Sequence, residues 1–240
     1  MRNTFNAYID GFNLYYGALR ERPDLKWLDI RKFAASHFDD VKLDKVYYFS
    51  ARIKAAFPGD TAPERQNQYW RALRATGVTI VEGKFANPPR FLPLSTALVE
   101  QAFRPQPEPP TDAFQIEVSK LFAISHPTLP EALVHKQTEK GSDVNLATYL
   151  LRDVYKYELK FALVVTADAD LESALQLAKE EGTWIALTAA RRHGDVIPRQ
   201  LSRHANFIEH IKPSVLANHQ LPNALLGLNG KELTRPKDWR

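Results

Sequence analysis

Short runs of apolar, β-prone residues alternate along this chain with longer stretches whose apolar positions recur every three or four residues. Phe5 to Ile9 predicts a first strand, and Phe12 to Leu19 and Ile30 to Phe38 predict short helices. Lys45 to Phe49 reads as a second strand. Pro63 to Ala75 reads as a helix with proline in its permitted first turn, stopped by Gly77, and Val78 to Val81 as a third strand. The pattern then breaks: seven prolines fall between Asn87 and Thr111, a density that no helix interior or central strand tolerates. This stretch, about 87–112, is expected to be an insertion with a short element around Thr96 to Phe103. A linker between two domains is set aside because neither side alone has a full set of strands. Val134 to Thr138 predicts the next strand. A helix is expected from Ser142 to Tyr157 with Val144, Ala147, Leu150, Leu151 and Val154 on its apolar face. Phe161 to Val165 is a continuous apolar run typical of a strand buried on both faces. A helix from Leu171 to Glu180 ended by Gly182, a strand from Trp184 to Leu187, a short helix from Val196 to His204 and an edge-like strand from Phe207 to Ile211 complete the series. A single α/β domain is thus expected over 1–212. The tail over 213–240 carries a small apolar patch at Leu221 to Leu228 that would pack on the domain or on a second copy in a homodimer.

Strands alternating with helices point to βαβ units, hence an α/β fold with a mostly parallel central sheet flanked by helices. At 240 residues and 44% hydrophobic content the chain can bury a substantial core. No stretch approaches the roughly 18 apolar residues of a membrane span. The N-terminus also lacks a signal-peptide pattern, so no membrane partner and a cytoplasmic location are expected. The absence of cysteine excludes disulfides, thiolate zinc sites and a cysteine nucleophile. A net charge of +4 mildly favours a polyanionic partner.

In an open α/β sheet, ligands bind beyond the carboxyl ends of the strands. Asp10-Gly11-Phe12-Asn13 follows the first strand. Glu139-Lys140-Gly141-Ser142-Asp143 follows the strand ending at Thr138, and Thr166-Ala167-Asp168-Ala169-Asp170 follows the Phe161 strand. Any one of these aspartates could be a helix cap, Asp170 above all, with Ser142 as the cap ahead of Asp143. Gathered at one rim, Asp10, Asp143, Asp168 and Asp170 would repel one another unless a cation sat among them, and oxygen-only ligands select Mg²⁺ or Mn²⁺. Such an ion commonly serves phosphate chemistry. Arg52, Lys54, Lys84, Lys140, Arg191 and Arg192 follow strand ends and are candidates for binding a substrate backbone. Phe12, Tyr15 and Tyr16 could stack bases or belong to the core.

The segments YIDGFNLYYG, EKGSDVNLATYLLRDVYK and LVVTADADLESALQLAKEEGTWIAL, in this order, resemble the NYN domain, a branch of the PIN-like ribonuclease superfamily. The resemblance runs from about Asn6 to Ile211. It implies a three-layer PIN-like α/β fold and a metal-dependent ribonuclease acting on RNA. Asp10 would be the first-strand metal ligand and Asn13 its polar support. Asp143 would be the acid of a Lys-Gly-x-Asp motif, and Asp168 and Asp170 the later acidic pair. The family's usual hydroxyl between that pair is replaced here by Ala169. A non-catalytic nucleic-acid-binding or scaffold protein that keeps the acidic rim is the alternative. A haloacid-dehalogenase-type phosphatase, suggested by Asp168-Ala169-Asp170, is disfavoured because that pair falls late in the fold.

Overall fold

In a computed structural model of the chain, which describes residues 4–55, 57–86, 89–93, 122–123, 131–135, 138–189 and 197–239, a first strand β1 (Thr4–Asp10) leads into a helical turn α1 (Gly11–Leu14). That turn continues as a π-helical turn over Tyr15–Leu19. A 3-10 turn (Pro23–Leu25), α2 (Ile30–Ala35), β2 (Lys42–Ala51), α3 (Ala62–Ala75) and β3 (Thr79–Ala86) follow. Next come β4 (Pro89–Pro93), β5 (Phe122–Ala123), β6 (Glu131–His135) and β7 (Thr138–Lys140), then α4 (Ser142–Tyr157) and β8 (Phe161–Val165). A 3-10 turn (Ala169–Leu171) enters α5 (Glu172–Glu180), followed by β9 (Trp184–Ala189), α6 (Arg199–Ser202) and β10 (Phe207–His210). The chain closes with α7 (Pro213–Asn218), β11 (Ala224–Leu226), β12 (Glu232–Thr234) and a 3-10 turn (Lys237–Trp239).

The chain divides into two compact units, one made of Met1–Lys84 with Glu139–Arg240, the other of Phe85–Thr138. The main sheet has the order β10-β9-β8-β1-β2-β3-β7, and the pairs β10/β9, β9/β8, β8/β1, β1/β2 and β2/β3 are all parallel. β1 is central and buried on both faces. Phe5, Ala7 and Ile9 enter one core and Tyr8 the other, as strict alternation requires. The first core takes Phe33 of α2, Trp70 and Leu73 of α3, and Leu216 of α7. The second takes Leu146, Leu150 and Val154 of α4, Leu175 of α5 and Leu201 of α6. Helices therefore cover both faces, and the expected α/β architecture of three layers with a mostly parallel sheet is what the chain adopts.

Several expectations need correction. The single strand read over Val134 to Thr138 is two. β6 pairs antiparallel with β4 and β5 in a three-stranded sheet of the second unit, whereas β7 is an edge strand of the main sheet. Part of the proline-rich stretch is itself a strand, β4. It lies at the edge of its sheet with Pro89 and Pro93 at its two ends, the places where a missing N–H costs least. The short element expected around Thr96 to Phe103 lies outside the described residues. The tail, by contrast, packs on the domain, one of the two places expected for it: Leu216, Leu221 and Leu233 are core residues, and Trp27 Nε1 donates to the Pro222 carbonyl at 2.8 Å. Trp239 packs against Trp27 and Tyr69.

The buried face of α4 also differs from the one its apolar residues suggest. Val144 is 68% exposed, and the face turned inward carries Ser142, Leu146, Leu150, Asp153 and Val154. Asp153 is 0% exposed. Its Oδ2 accepts from Asn6 Nδ2 at 2.9 Å and from the Tyr8 hydroxyl at 2.8 Å, and its Oδ1 accepts from Arg152 Nε at 2.9 Å. The guanidinium also donates to the Tyr47 hydroxyl at 2.9 Å. This network joins α4 to β1 and β2. Asn6 also serves the sheet itself. Its Oδ1 accepts from Lys45 N at 3.2 Å where the β1/β2 register shifts, satisfying a donor that the ladder leaves over.

Candidate acidic site at the carboxyl edge of the sheet

β1 ends at Asp10, and the next residue is glycine for a steric reason. A Cβ on Gly11 would lie 2.6 Å from the Tyr48 ring and 2.7 Å from the Phe49 carbonyl. Only glycine lets α1 start flush against β2. Asp10 shares the face of Asn6 and Tyr8 by alternation, and it is 2% exposed. It caps α1: Oδ1 accepts from Phe12 N at 3.1 Å and Asn13 N at 3.0 Å. Oδ2 accepts from Asn13 Nδ2 and, at 3.0 Å, from the Thr166 hydroxyl.

Thr166 reaches Asp10 because β8 runs beside β1 in register, Ile9 opposite Val165, so the next residue on each strand meets its counterpart. Thr166 Oγ in turn accepts from Asp168 N at 3.1 Å. Asp168, and not the expected Asp170, caps the following turn, with Oδ1 accepting from Asp170 N at 3.0 Å. Asn13 Oδ1 accepts from Ala167 N at 3.3 Å. Asp10, Asn13, Thr166 and Asp168 thus form one hydrogen-bonded unit across two strand ends. Burial pushes the Asp10 carboxyl above its ordinary value and the charge on Asp168 adds to the push, while the bonds from Asn13 and Thr166 pull it back down.

Asp143 stands in the first turn of α4. The cap there is Gly141 in a left-handed conformation (φ 94°), not the expected Ser142, which is the first helical residue and is buried. α4 anchors on β1 through Asp153 to Asn6 and packs against the Ala169–Leu171 turn. From Asp153 back to Asp143 the helix rises ~15 Å. From Asn6 to Asp10 the strand rises ~13 Å. The two rises are similar, which is compatible with Asp143 lying at the height of the rim. Even so, among the described residues no three His, Cys, Asp or Glu side chains are grouped closely enough to hold a metal ion. Four protein donors already fill the four lone-pair sites of Asp10. What the structure brings together is Asp10 with Asp168. It adds Thr166, a residue that motif reading passed over.

The predicted cations follow strand ends as expected, with one qualification. Lys54, just beyond β2, Lys84, near the end of β3, and Lys140, the last residue of β7, are exposed. Arg52 is engaged: it pairs with Glu82 at 2.7 Å and lies over the Trp70 ring at 5.2 Å. Arg191 and Arg192 lie outside the described residues.

Among the described residues no helix is long and apolar enough to cross a membrane. No family model matches the chain. A 6-hydroxy-3-succinoylpyridine 3-monooxygenase of Pseudomonas putida is 28% identical, with 97% of this chain and 74% of that protein covered. A solved protein of unknown function from Vibrio parahaemolyticus aligns over 88% of this chain and 94% of its own at 11% identity and a TM-score of 0.47.

Proposed function

We propose that the chain is a metal-dependent ribonuclease of the NYN type that its motifs resemble, hydrolysing RNA phosphodiesters at the carboxyl edge of the main sheet. The observation that carries this reading is the Asp10–Thr166–Asp168 unit across the ends of β1 and β8, with Asp170 beside it. The donors are all oxygen, which suits Mg²⁺ or Mn²⁺. Mg²⁺ keeps several waters and needs only one or two carboxylates when substrate phosphates complete its shell, so the lack of a three-acid cluster is compatible with it. Asp168 with Asp170 or Asp143 would hold the ion, while Asp10 anchors the loop that carries Asp168. Bound there, the metal would lower the pKa of a water and neutralise charge on the scissile phosphate. The residues themselves contribute position. Asp10 and Thr166 fix the backbone at Asp168, and Asn13 ties the same loop to α1. Lys54, Lys84 and Lys140 would offer cations to the phosphates on either side.

Single-stranded RNA with Mn²⁺ is the direct assay. Cleavage is expected from the wild-type chain, abolished by Asp168→Asn and weakened by Asp10→Asn. Equal cleavage by all three proteins would assign the activity to a contaminant and end this reading. The name of the Pseudomonas relative favours a second reading, oxygenation of a hydroxylated pyridine. Consumption of 6-hydroxy-3-succinoylpyridine under oxygen with a supplied reductant, unaffected by Asp168→Asn, would support it.

A further inference from the structure

A cavity of about 250 Å³ opens in the first unit on the α1, α3 and C-terminal side, next to the acidic site: Gly11 and Phe12, the two residues after Asp10, are part of its wall. Its lining is unusual in kind. Phe12, Tyr15, Tyr16, Tyr48, Tyr69, Trp70 and Trp239 supply rings, Lys26 and Arg65 supply charge, and among the described residues no acidic side chain lines it. Tyr15 and Tyr16 stand on the π-helical turn, a geometry often found at functional sites. Two of the polar side chains deeper in are already engaged. Gln66 bonds Ile53 N and the Ala51 carbonyl, and the Tyr69 hydroxyl donates to the Leu28 carbonyl. Specificity therefore falls to the rings, the Tyr48 and Ser50 hydroxyls and the two cations.

Of those cations Arg65 is paired with Asp238 at 2.8 Å. Lys26 forms no ion pair among the described residues, and its ammonium lies over the Tyr15 ring at 5.4 Å. Arg20 lies nearby, over the Tyr16 ring at 5.6 Å. Burial pushes the Lys26 ammonium below its ordinary value, and the like charges of Arg65 and Arg20 push it further. A like-charge group of this kind gains stability from an incoming anion. The volume lies below the roughly 300–1,000 Å³ of drug-sized sites, which limits the occupant to a small ring system.

We infer that this cavity is a binding site for a small planar aromatic anion, its ring held among Tyr15, Tyr16, Trp70 and Trp239 and its carboxylate or phosphate on Lys26. The anion could belong to an aromatic carboxylic acid or to a nucleoside monophosphate, and binding measurements separate the two. Titration calorimetry on the full chain would use benzoate, nicotinate and uridine 5′-monophosphate as probes. Cyclohexanecarboxylate tests the need for a ring and benzamide the need for a charge. Saturable binding is expected for at least one aromatic anion and for neither control. If only the nucleotide binds, the anion is a phosphate; if only the carboxylates bind, it is a carboxylate; either result upholds the site. Lys26→Met should weaken binding about tenfold or more, as expected for loss of a charge-assisted contact, while Lys156→Met leaves it unchanged. Tyr16→Ala, at an exposed position that the fold does not need, should also weaken it. No binding by any aromatic anion, equal binding of cyclohexanecarboxylate, or wild-type affinity in a folded Lys26→Met protein would overturn the assignment. Asp168→Asn should leave the titration unchanged, so failure here and failure of the RNA assay are separate outcomes.

Discussion

Thr166 shows how much one hydroxyl can carry. It donates to Asp10 and accepts from Asp168 N, so Thr166→Val would take one of two donors from the buried Asp10 Oδ2 and leave the Asp168 N–H without its acceptor. A loss of ~1–3 kcal/mol is expected in denaturant unfolding, with Thr166→Ser recovering most of it. Titration at the residue scale has a sign as well. His37 is largely buried, its Nδ1 lies 2.9 Å from the Phe33 carbonyl, and burial holds its pKa below the ordinary 6.5. Its contribution is therefore fully present above that value and is lost as pH falls, because the unfolded chain takes up the proton first. Asp10 works the other way: its raised pKa makes its contribution greatest in acid, and that contribution declines as pH rises through the folded value. Unfolding free energy should fall from pH 7 to pH 5, with a shallower slope in His37→Phe. An unchanged slope would show that His37 does not set it. Asp10 and Asp168 are legible as candidates because aspartates after apolar runs stand out. Thr166 is not, because its role depends on which strand lies beside which. Motif comparison directs attention to position 169, where the hydroxyl is missing, and away from the hydroxyl that is present.

At the scale of elements, α4 is where periodicity misleads. Counting only apolar residues places Val144 inside and ignores Asp153, yet the helix turns Asp153 inward and leaves Val144 in solvent. A carboxylate can be buried this way only when its partners are built in: Asn6 and Tyr8 reach it from β1, and Arg152 from α4 itself. Asp153→Ala should cost roughly 3 kcal/mol or more, because it leaves Asn6 and Tyr8 unsatisfied beneath the helix. Tyr8→Phe removes one bond and should cost ~1 kcal/mol. If the two variants prove equally stable, α4 is held by its leucines alone. The strands were easier to read than this helix. Phe161 to Val165 is apolar at every position because both faces are covered, and no partner need be known to see it.

At the scale of the whole molecule, the order of alternating elements was enough to predict a parallel sheet between helical layers. The place of the tail was not, since Leu221, Leu233 and Trp239 are scattered among polar residues and find their partners on α3 and around Trp27. Removing the chain beyond Gly230 would uncover Trp27 and Tyr69. A lower melting temperature and weaker binding of aromatic anions should appear together, since Trp239 belongs to both the core's edge and the cavity.

The position of β1 in the middle of the sheet also bears on how the protein is made. One edge of β1 pairs with β2 soon after both emerge from the ribosome, but its other neighbour, β8, begins at Phe161. At ordinary synthesis rates that is a wait of roughly 10–30 s, during which the whole of Phe85–Thr138 is translated. Through that interval the strand that ends in Asp10 has an open edge and half its core missing. The nascent chain is then most exposed to mispairing and to chaperone capture, and the acidic site is assembled only once translation has passed Asp168.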